Sequence, residues 1–158
     1  MKNGSTLFLK ITIFLMGLPV ILLGIYGLYS LVKNPPTPEY AHILYPVAAG
    51  IYVCAIPYFC TLRQAFLLLR YIDKNEAFSA LSVKALRKIK YFAAIISGIC
   101  VMIWPFIVLA AQKEEAPGLV IIGAAPAFAS LTIAVFAAVL QRLLQEAINI
   151  KIENELTV

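Results

Sequence analysis

The chain has 158 residues, of which 62% are hydrophobic and only 13% are charged, and its mean hydropathy is +0.90. A soluble domain carries about 25% charged residues, so the composition excludes an ordinary soluble domain. A formal net charge of +5 would point to nucleic acid in a soluble protein. Here the charges cluster between apolar runs, as at the ends of membrane spans, and we expect no direct nucleic-acid binding.

Four apolar runs are long enough to cross a membrane. A bilayer core of about 30 Å needs about 20 helical residues. None of the four runs contains a Lys, Arg, Asp or Glu. The sequence therefore predicts an all-α fold, a transmembrane four-helix bundle forming a single membrane domain over residues 1–158. The predicted spans are residues 11–32, 43–62, 91–111 and 118–140.

The positive charges predict the orientation of these spans. The connection between spans two and three, residues 63–90, is rich in Lys and Arg, whereas the other two connections carry only Lys33 and Lys113. Because Lys and Arg near span ends stay on the cytoplasmic side, residues 63–90 are predicted to form a cytoplasmic basic loop. Both chain ends then lie inside, and residues 141–158 form a cytoplasmic tail.

The two halves of the chain follow the same plan of span, short outer connection, span and polar inner segment. An offset of half the chain aligns Asn75 with Asn154. Two tandem helical hairpins are therefore one form that the fold could take. Such internal repeats occur in transporters, but a plain helical bundle gives the same pattern.

Small side chains recur at a spacing of four residues in two spans. Such stripes let helices approach closely in lipid. They predict either tight packing within the chain or a face for a homo-oligomer. One stripe comprises Ser130, Ala134 and Ala138, and the other comprises Ala94 and Gly98.

A short amphipathic helix is predicted over residues 79–90. Ser79 is a plausible N-cap. Basic residues lie on one face of this helix, so we expect it to rest on the inner leaflet and to contact anionic lipids or a partner. The alternative is that the charges only fix the topology. The apolar face comprises Leu81, Ala85, Leu86 and Ile89, and the basic residues are Lys84, Arg87 and Lys88, with Lys90 beside them.

The tail continues the helix of the fourth span and then loses helix propensity around Asn154 and Thr157. Its last residues, 156–158, are mostly apolar, which is unexpected for a solvated tail. We expect this apolar end to dock on the protein's own helices, with docking on a partner as the alternative.

Two segments resemble a known family. Residues 73–79 read Asp-Lys-Asn-Glu-Ala-Phe-Ser and, with residues 83–90, resemble the inner loop of a bacterial membrane family named domain of unknown function 2975. The tail, in which Asn154 and Glu155 precede Leu156, is similar to that family's ending. The resemblance implies a multi-pass protein of the bacterial cytoplasmic membrane with no established activity. It also implies genes beside small helix-turn-helix regulators, and hence a cytoplasmic regulator as a partner.

Nothing in the sequence resembles a catalytic, cofactor-binding or metal-binding motif, so we predict no enzyme and no cofactor. The three cysteines lie in apolar runs and are predicted to be packing residues. The favoured function is a non-catalytic regulatory or interaction role at the membrane. The alternative is a small transporter or channel component. Pro57 and Pro105 are predicted to kink their spans, either as hinges for gating or as static bends that improve packing. Candidate lipid or partner contacts are Lys84, Arg87, Lys88, Lys90, Asn154 and Glu155.

Overall fold

The computed structural model describes the backbone of residues 2–157 and the side chains of residue 4 and residues 6–156. This part of the chain forms four α-helices: α1 (Lys2–Lys33), α2 (Pro38–Asp73), α3 (Ala80–Lys113) and α4 (Gly118–Thr157). All four are long and apolar enough to cross a membrane. The predicted all-α fold with four transmembrane helices is confirmed. Both α2 and α3 continue as single helices through the prolines within them, Pro57 near the middle of α2 and Pro105 in the last third of α3.

Short connections place successive helices antiparallel. The start of α1, the turn at residues 74–79 and the end of α4 therefore lie at one end of the molecule, which we call the basic end. Of the 13 Lys and Arg residues, only Lys33 and Lys113 lie at the other end. This imbalance supports the predicted orientation, which itself stays a prediction.

The helices are longer than a bilayer core requires. They contain 32 to 40 residues, which at 1.5 Å per residue makes them about 48–60 Å long, against a core of about 30 Å. At the end opposite the basic end, the predicted spans and the helices finish close together. The excess length therefore projects at the basic end.

The four helices pack as an open row in chain order. On its two flanks α3 packs against α2 and α4, whereas α1 packs only against α2. Among the described residues, no Cα atom of α1 comes within 8 Å of α3 or α4, and none of α2 comes that close to α4. The arrangement is a row of helices and not a closed bundle around one shared core.

Glycines allow the close approaches within this row. A Cβ atom on Gly50 of α2 would overlap the Cγ2 methyl of Ile103 of α3. A Cβ atom on Gly123 of α4 would lie 2.8 Å from the Cγ2 methyl of Ile107. Since van der Waals packing drives helix association in lipid, these contacts hold α2, α3 and α4 together.

The two predicted small-residue stripes have different outcomes. Ser130 and Ala134 are buried and Ala138 is half-buried, so this stripe does line a close helix contact. Ala94 and Gly98 are exposed, and a Cβ atom on Gly98 would meet nothing within 4 Å. The second stripe therefore plays no part in packing within the chain.

Tyrosine hydroxyls join α1 to α2. The Tyr52 hydroxyl donates to the Gly24 carbonyl oxygen at 2.7 Å, and the Tyr58 hydroxyl donates to the Met16 carbonyl oxygen at 2.8 Å. Hydrogen bonds between helices are a common source of association in the apolar interior of a membrane. Together with a narrow row of glycines, these bonds attach α1 to the rest of the protein.

The two helical hairpins are packed unequally. Contact between α3 and α4 is far more extensive than contact between α1 and α2. The residues aligned by the half-chain offset also differ in structure, because Asn75 has a left-handed backbone after α2 whereas Asn154 lies within α4. Asn75 and Asn154 are therefore not structurally equivalent.

Cross-linking of two cysteines can test the register between α2 and α3. The Cys54 and Cys100 side chains contact each other across this interface, and both are free thiols. We expect a membrane-permeant oxidant to join them in a disulfide within one chain, leaving one thiol of three for maleimide labelling after denaturation. Replacing Cys60 with alanine should preserve this cross-link, and replacing Cys54 should abolish it. Full labelling of all three thiols after oxidation would contradict the observed register.

Candidate interaction surface at the basic end

A tight turn of six residues, 74–79, connects α2 to α3. At the end of α2, the Glu76 N–H donates to the Tyr71 carbonyl oxygen at 2.8 Å and the Asn75 N–H donates to the Ile72 carbonyl oxygen at 3.1 Å. Asn75 has a φ of 59°, a left-handed conformation that asparagine tolerates better than most residues. This is the Schellman arrangement that closes a helix C-terminus.

Serine side chains then start α3. The Ser79 hydroxyl oxygen accepts from the Ser82 N–H at 3.4 Å, so the predicted N-cap is confirmed. The Ser79 and Ser82 hydroxyls both donate to the Glu76 carbonyl oxygen, at 2.6 and 3.1 Å. Ser82 is completely buried. The turn is therefore tied to both helices, and it fixes the direction in which α3 begins.

The structure corrects the prediction of a separate helix on the membrane surface. Residues 80–90 are the first turns of α3, which continues without a break to Lys113. No Gly or Pro occurs in this stretch to interrupt the helix. Its apolar face is buried within the protein, and the predicted composition of that face needs one change: Leu81 is 48% exposed, whereas Val83 is buried.

The predicted basic residues do share an exposed face of α3. Lys84, Arg87 and Lys88 are exposed on the side opposite the buried face. Lys90 is half-buried, with its Nζ atom 4.9 Å from the centre of the Tyr91 ring. Neither of the two ion pairs among the described side chains involves these four residues. We call this group, Lys84, Arg87, Lys88 and Lys90, the basic face.

The end of α4 projects beyond the packed helices. Every residue from 149 to 156 is exposed, including Asn154 and Glu155. The helix continues to Thr157 despite the low helix propensity around Asn154 and Thr157. Leu156 is 81% exposed, so the prediction that it docks on the protein's own helices is wrong. Val158 lies outside the described residues.

One face of this projecting helix combines apolar and polar side chains. The five side chains follow the helical spacing of three and four residues and border one shallow depression. The predicted site residues thus form two groups at the same end of the molecule, four on α3 and two on the projecting part of α4. The depression is bordered by Ala147, Ile150, Lys151, Asn154 and Glu155.

An ion pair that the sequence analysis missed links α1 to α2. The Lys10 Nζ atom lies 2.7 Å from the Asp73 Oδ2 atom, and the two side chains are 26% and 21% exposed. The same Nζ atom lies 5.6 Å from the centre of the Phe66 ring. The only signal in the sequence is that the two opposite charges are predicted to lie at the same membrane surface.

Four apolar helices with polar residues gathered at one end define a multi-pass membrane protein. A family model described as "Protein of unknown function (DUF2975)" matches residues 30–158, and the chain belongs to this family. The chain is 51% identical over 161 residues to the "Uncharacterized membrane protein YoaS" of Bacillus subtilis (strain 168), with both chains fully covered. No solved structure matches the chain. The predicted family resemblance is confirmed.

Proposed function

We propose that this chain is a non-catalytic interaction protein of the bacterial cytoplasmic membrane that docks a cytoplasmic regulator on the projecting end of α4. The observation that carries the proposal is the exposure of residues 149–156. The basic end faces the cytoplasm in this proposal, as the distribution of Lys and Arg supports.

The projecting helix carries more exposed apolar surface than a solvated tail needs. Ile150, Ile152 and Leu156 are 59%, 49% and 81% exposed. Residue 149 lies about 13 Å along the helix axis beyond residue 140, the end of the predicted span, at 1.5 Å per residue. The bilayer core does not cover these side chains, and exposed apolar patches on such surfaces mark interaction sites.

The basic face supports the same function in a different way. Three exposed cations without a described ion-pair partner attract an acidic protein surface or the anionic inner leaflet, where each cation contributes about 1 kcal/mol. Charges of this kind mainly raise the rate of association, whereas buried apolar anchors determine the lifetime of a complex. We therefore assign the steering of a partner to the basic face and its retention to α4.

A binding measurement with two variants separates these roles. The family resemblance implies a small helix-turn-helix regulator as the partner, so the purified regulator is the probe for the full chain in nanodiscs. Ending the chain after Ile148 removes the projecting residues and keeps those packed against α3. We expect this variant to bind at least about tenfold more weakly because the apolar anchors are lost.

The matched variant keeps the tail and neutralises the basic face by changing Lys84, Arg87 and Lys88 to glutamine. We expect it to slow association and to reduce the salt dependence of binding, with little change in the dissociation rate. Equal affinity of the shortened and unchanged chains, or no binding by the unchanged chain, would contradict the proposed docking function.

A further inference from the structure

An apolar groove runs between α1 and α2 and has one charged residue in its wall. The groove has a volume of about 320 Å³. Gly17 forms part of one wall, and Phe59, Leu62 and Phe66 form much of the other. Apart from Arg63, all the residues that line it are apolar. The groove is separate from the basic face, which lies on α3.

Gly17 lies buried where α1 and α2 meet beside this groove. A Cβ atom on Gly17 would lie 3.4 Å from the Cδ1 atom of Leu62 and 3.8 Å from the Cε1 atom of Phe59. A larger side chain at this position would occupy the space between the helices. Since α1 contacts only α2, the opposite side of the groove has no helix to cover it within the described part of the chain.

Arg63 brings an unmatched positive charge to the groove. The residue is exposed, and the two ion pairs among the described side chains do not include it. Lys10, the nearest basic residue of the neighbouring helix toward the basic end, is already paired with Asp73. Arg63 also directly follows the predicted span at residues 43–62, which places its guanidinium at the level of the lipid phosphates.

We infer that the groove between α1 and α2 is a binding site for one anionic phospholipid, with an acyl chain along the apolar walls and the phosphate on Arg63. A guanidinium suits this role because its N–H groups can bind two phosphate oxygens together. From Arg63 toward the membrane interior, Leu62 and Phe59 of α2 continue the apolar wall in the direction that a chain attached to that phosphate would take. We expect the site to prefer anionic lipids to zwitterionic lipids, because a lipid with a net negative charge neutralises the charge of Arg63.

Lipid retention in native mass spectrometry tests this site. The full chain in neutral detergent is mixed with phosphatidylglycerol or with phosphatidylcholine carrying the same acyl chains. We expect one phosphatidylglycerol to be retained, and the Arg63→Gln variant to bind it about tenfold more weakly, the loss typical of a hydrogen bond to a charged group. The matched variant Arg87→Gln removes one cation from the basic face and should retain the lipid like the unchanged chain.

Two further measurements test the acyl-chain half of the site. Leu18 lines the groove and is 58% exposed, so Leu18→Trp fills the groove without entering a packed helix contact. We expect this variant to lose the retained lipid while its melting temperature without lipid stays unchanged. Inorganic phosphate should not raise the melting temperature of the unchanged chain, whereas phosphatidylglycerol should.

Three outcomes would overturn the inference. Equal retention of both lipids would show that the site does not select lipids by charge. Equal loss of phosphatidylglycerol in Arg63→Gln and Arg87→Gln would indicate diffuse attraction by all cations. Full retention of the lipid by Leu18→Trp, or a rise in melting temperature with inorganic phosphate equal to that with the lipid, would show that no acyl chain binds in the groove. None of these outcomes depends on whether α4 binds a regulator.

Discussion

Replacing Gly50 with alanine is expected to destabilise the protein by about 1–3 kcal/mol, the usual cost of overpacking. The new Cβ atom would overlap the Cγ2 methyl of Ile103 and lie 3.5 Å from the Ile103 Cβ atom. That methyl is attached directly to Cβ and cannot move aside like the end of a long side chain. Thermal unfolding of the full chain in detergent, followed with gel filtration, measures the loss.

The chain offers a control of identical chemistry. Gly98 is also a glycine within a long apolar helix, but a Cβ atom there would meet nothing within 4 Å. Gly98→Ala should therefore leave stability unchanged or raise it, since alanine has a better helix propensity than glycine by about 1 kcal/mol. The double variant Gly50→Ala with Ile103→Leu should recover stability because leucine lacks the overlapping methyl. If both glycine variants behave alike, α2 and α3 are not as close as described.

Reversing the charge of Asp73 is expected to loosen α1 more than any other single charge change. Asp73→Lys places an ammonium group beside Lys10, which now lies 2.7 Å from the carboxylate. Among the described residues, α1 packs against α2 alone, where the two tyrosine hydrogen bonds also lie. We expect the melting temperature to fall by several degrees, and the swapped variant Lys10→Asp with Asp73→Lys to recover most of the loss.

The second ion pair of the described side chains is the natural control. Arg142 and Glu146 lie one helical turn apart on α4 with their charged atoms 3.7 Å apart, and their side chains are 84% and 60% exposed. Exposed pairs of this kind contribute about 0–1 kcal/mol, so Glu146→Lys should leave the melting temperature nearly unchanged. A larger effect at Glu146 than at Asp73 would contradict the proposed role of the Lys10–Asp73 pair.

The spans and the turn at Ser79 could be predicted from the sequence because each rests on local information. Four charge-free runs of the right length allow few other folds, and a serine before an amphipathic stretch caps a helix in most contexts. The predicted surface helix is wrong because charges on one face of a helix do not end it, and no helix-breaking residue separates residues 80–90 from the span. Without such a residue, α3 continues from Ala80 into the membrane.

The contacts between helices could not be predicted in the same way. The face of α3 that is buried depends on where α2 and α4 lie, which is why Leu81 and not Val83 was assigned to it. The Lys10–Asp73 pair joins residues 63 positions apart, and the groove at Arg63 is formed jointly by residues of α1 and α2. The exposure of Leu156 could not be predicted, because the sequence does not show that α4 extends beyond the start of α3 at the basic end.

The small interface of α1 means that separating α1 costs less free energy than separating the other three helices from each other. Within the described residues, α2, α3 and α4 share two extensive interfaces, whereas α1 has one smaller interface. Elements with few packed contacts open at a lower free-energy cost than the whole molecule unfolds. We therefore expect a cooperative unit of three helices and a peripheral helix that separates first, and this helix keeps its own backbone hydrogen bonds in lipid when it does so.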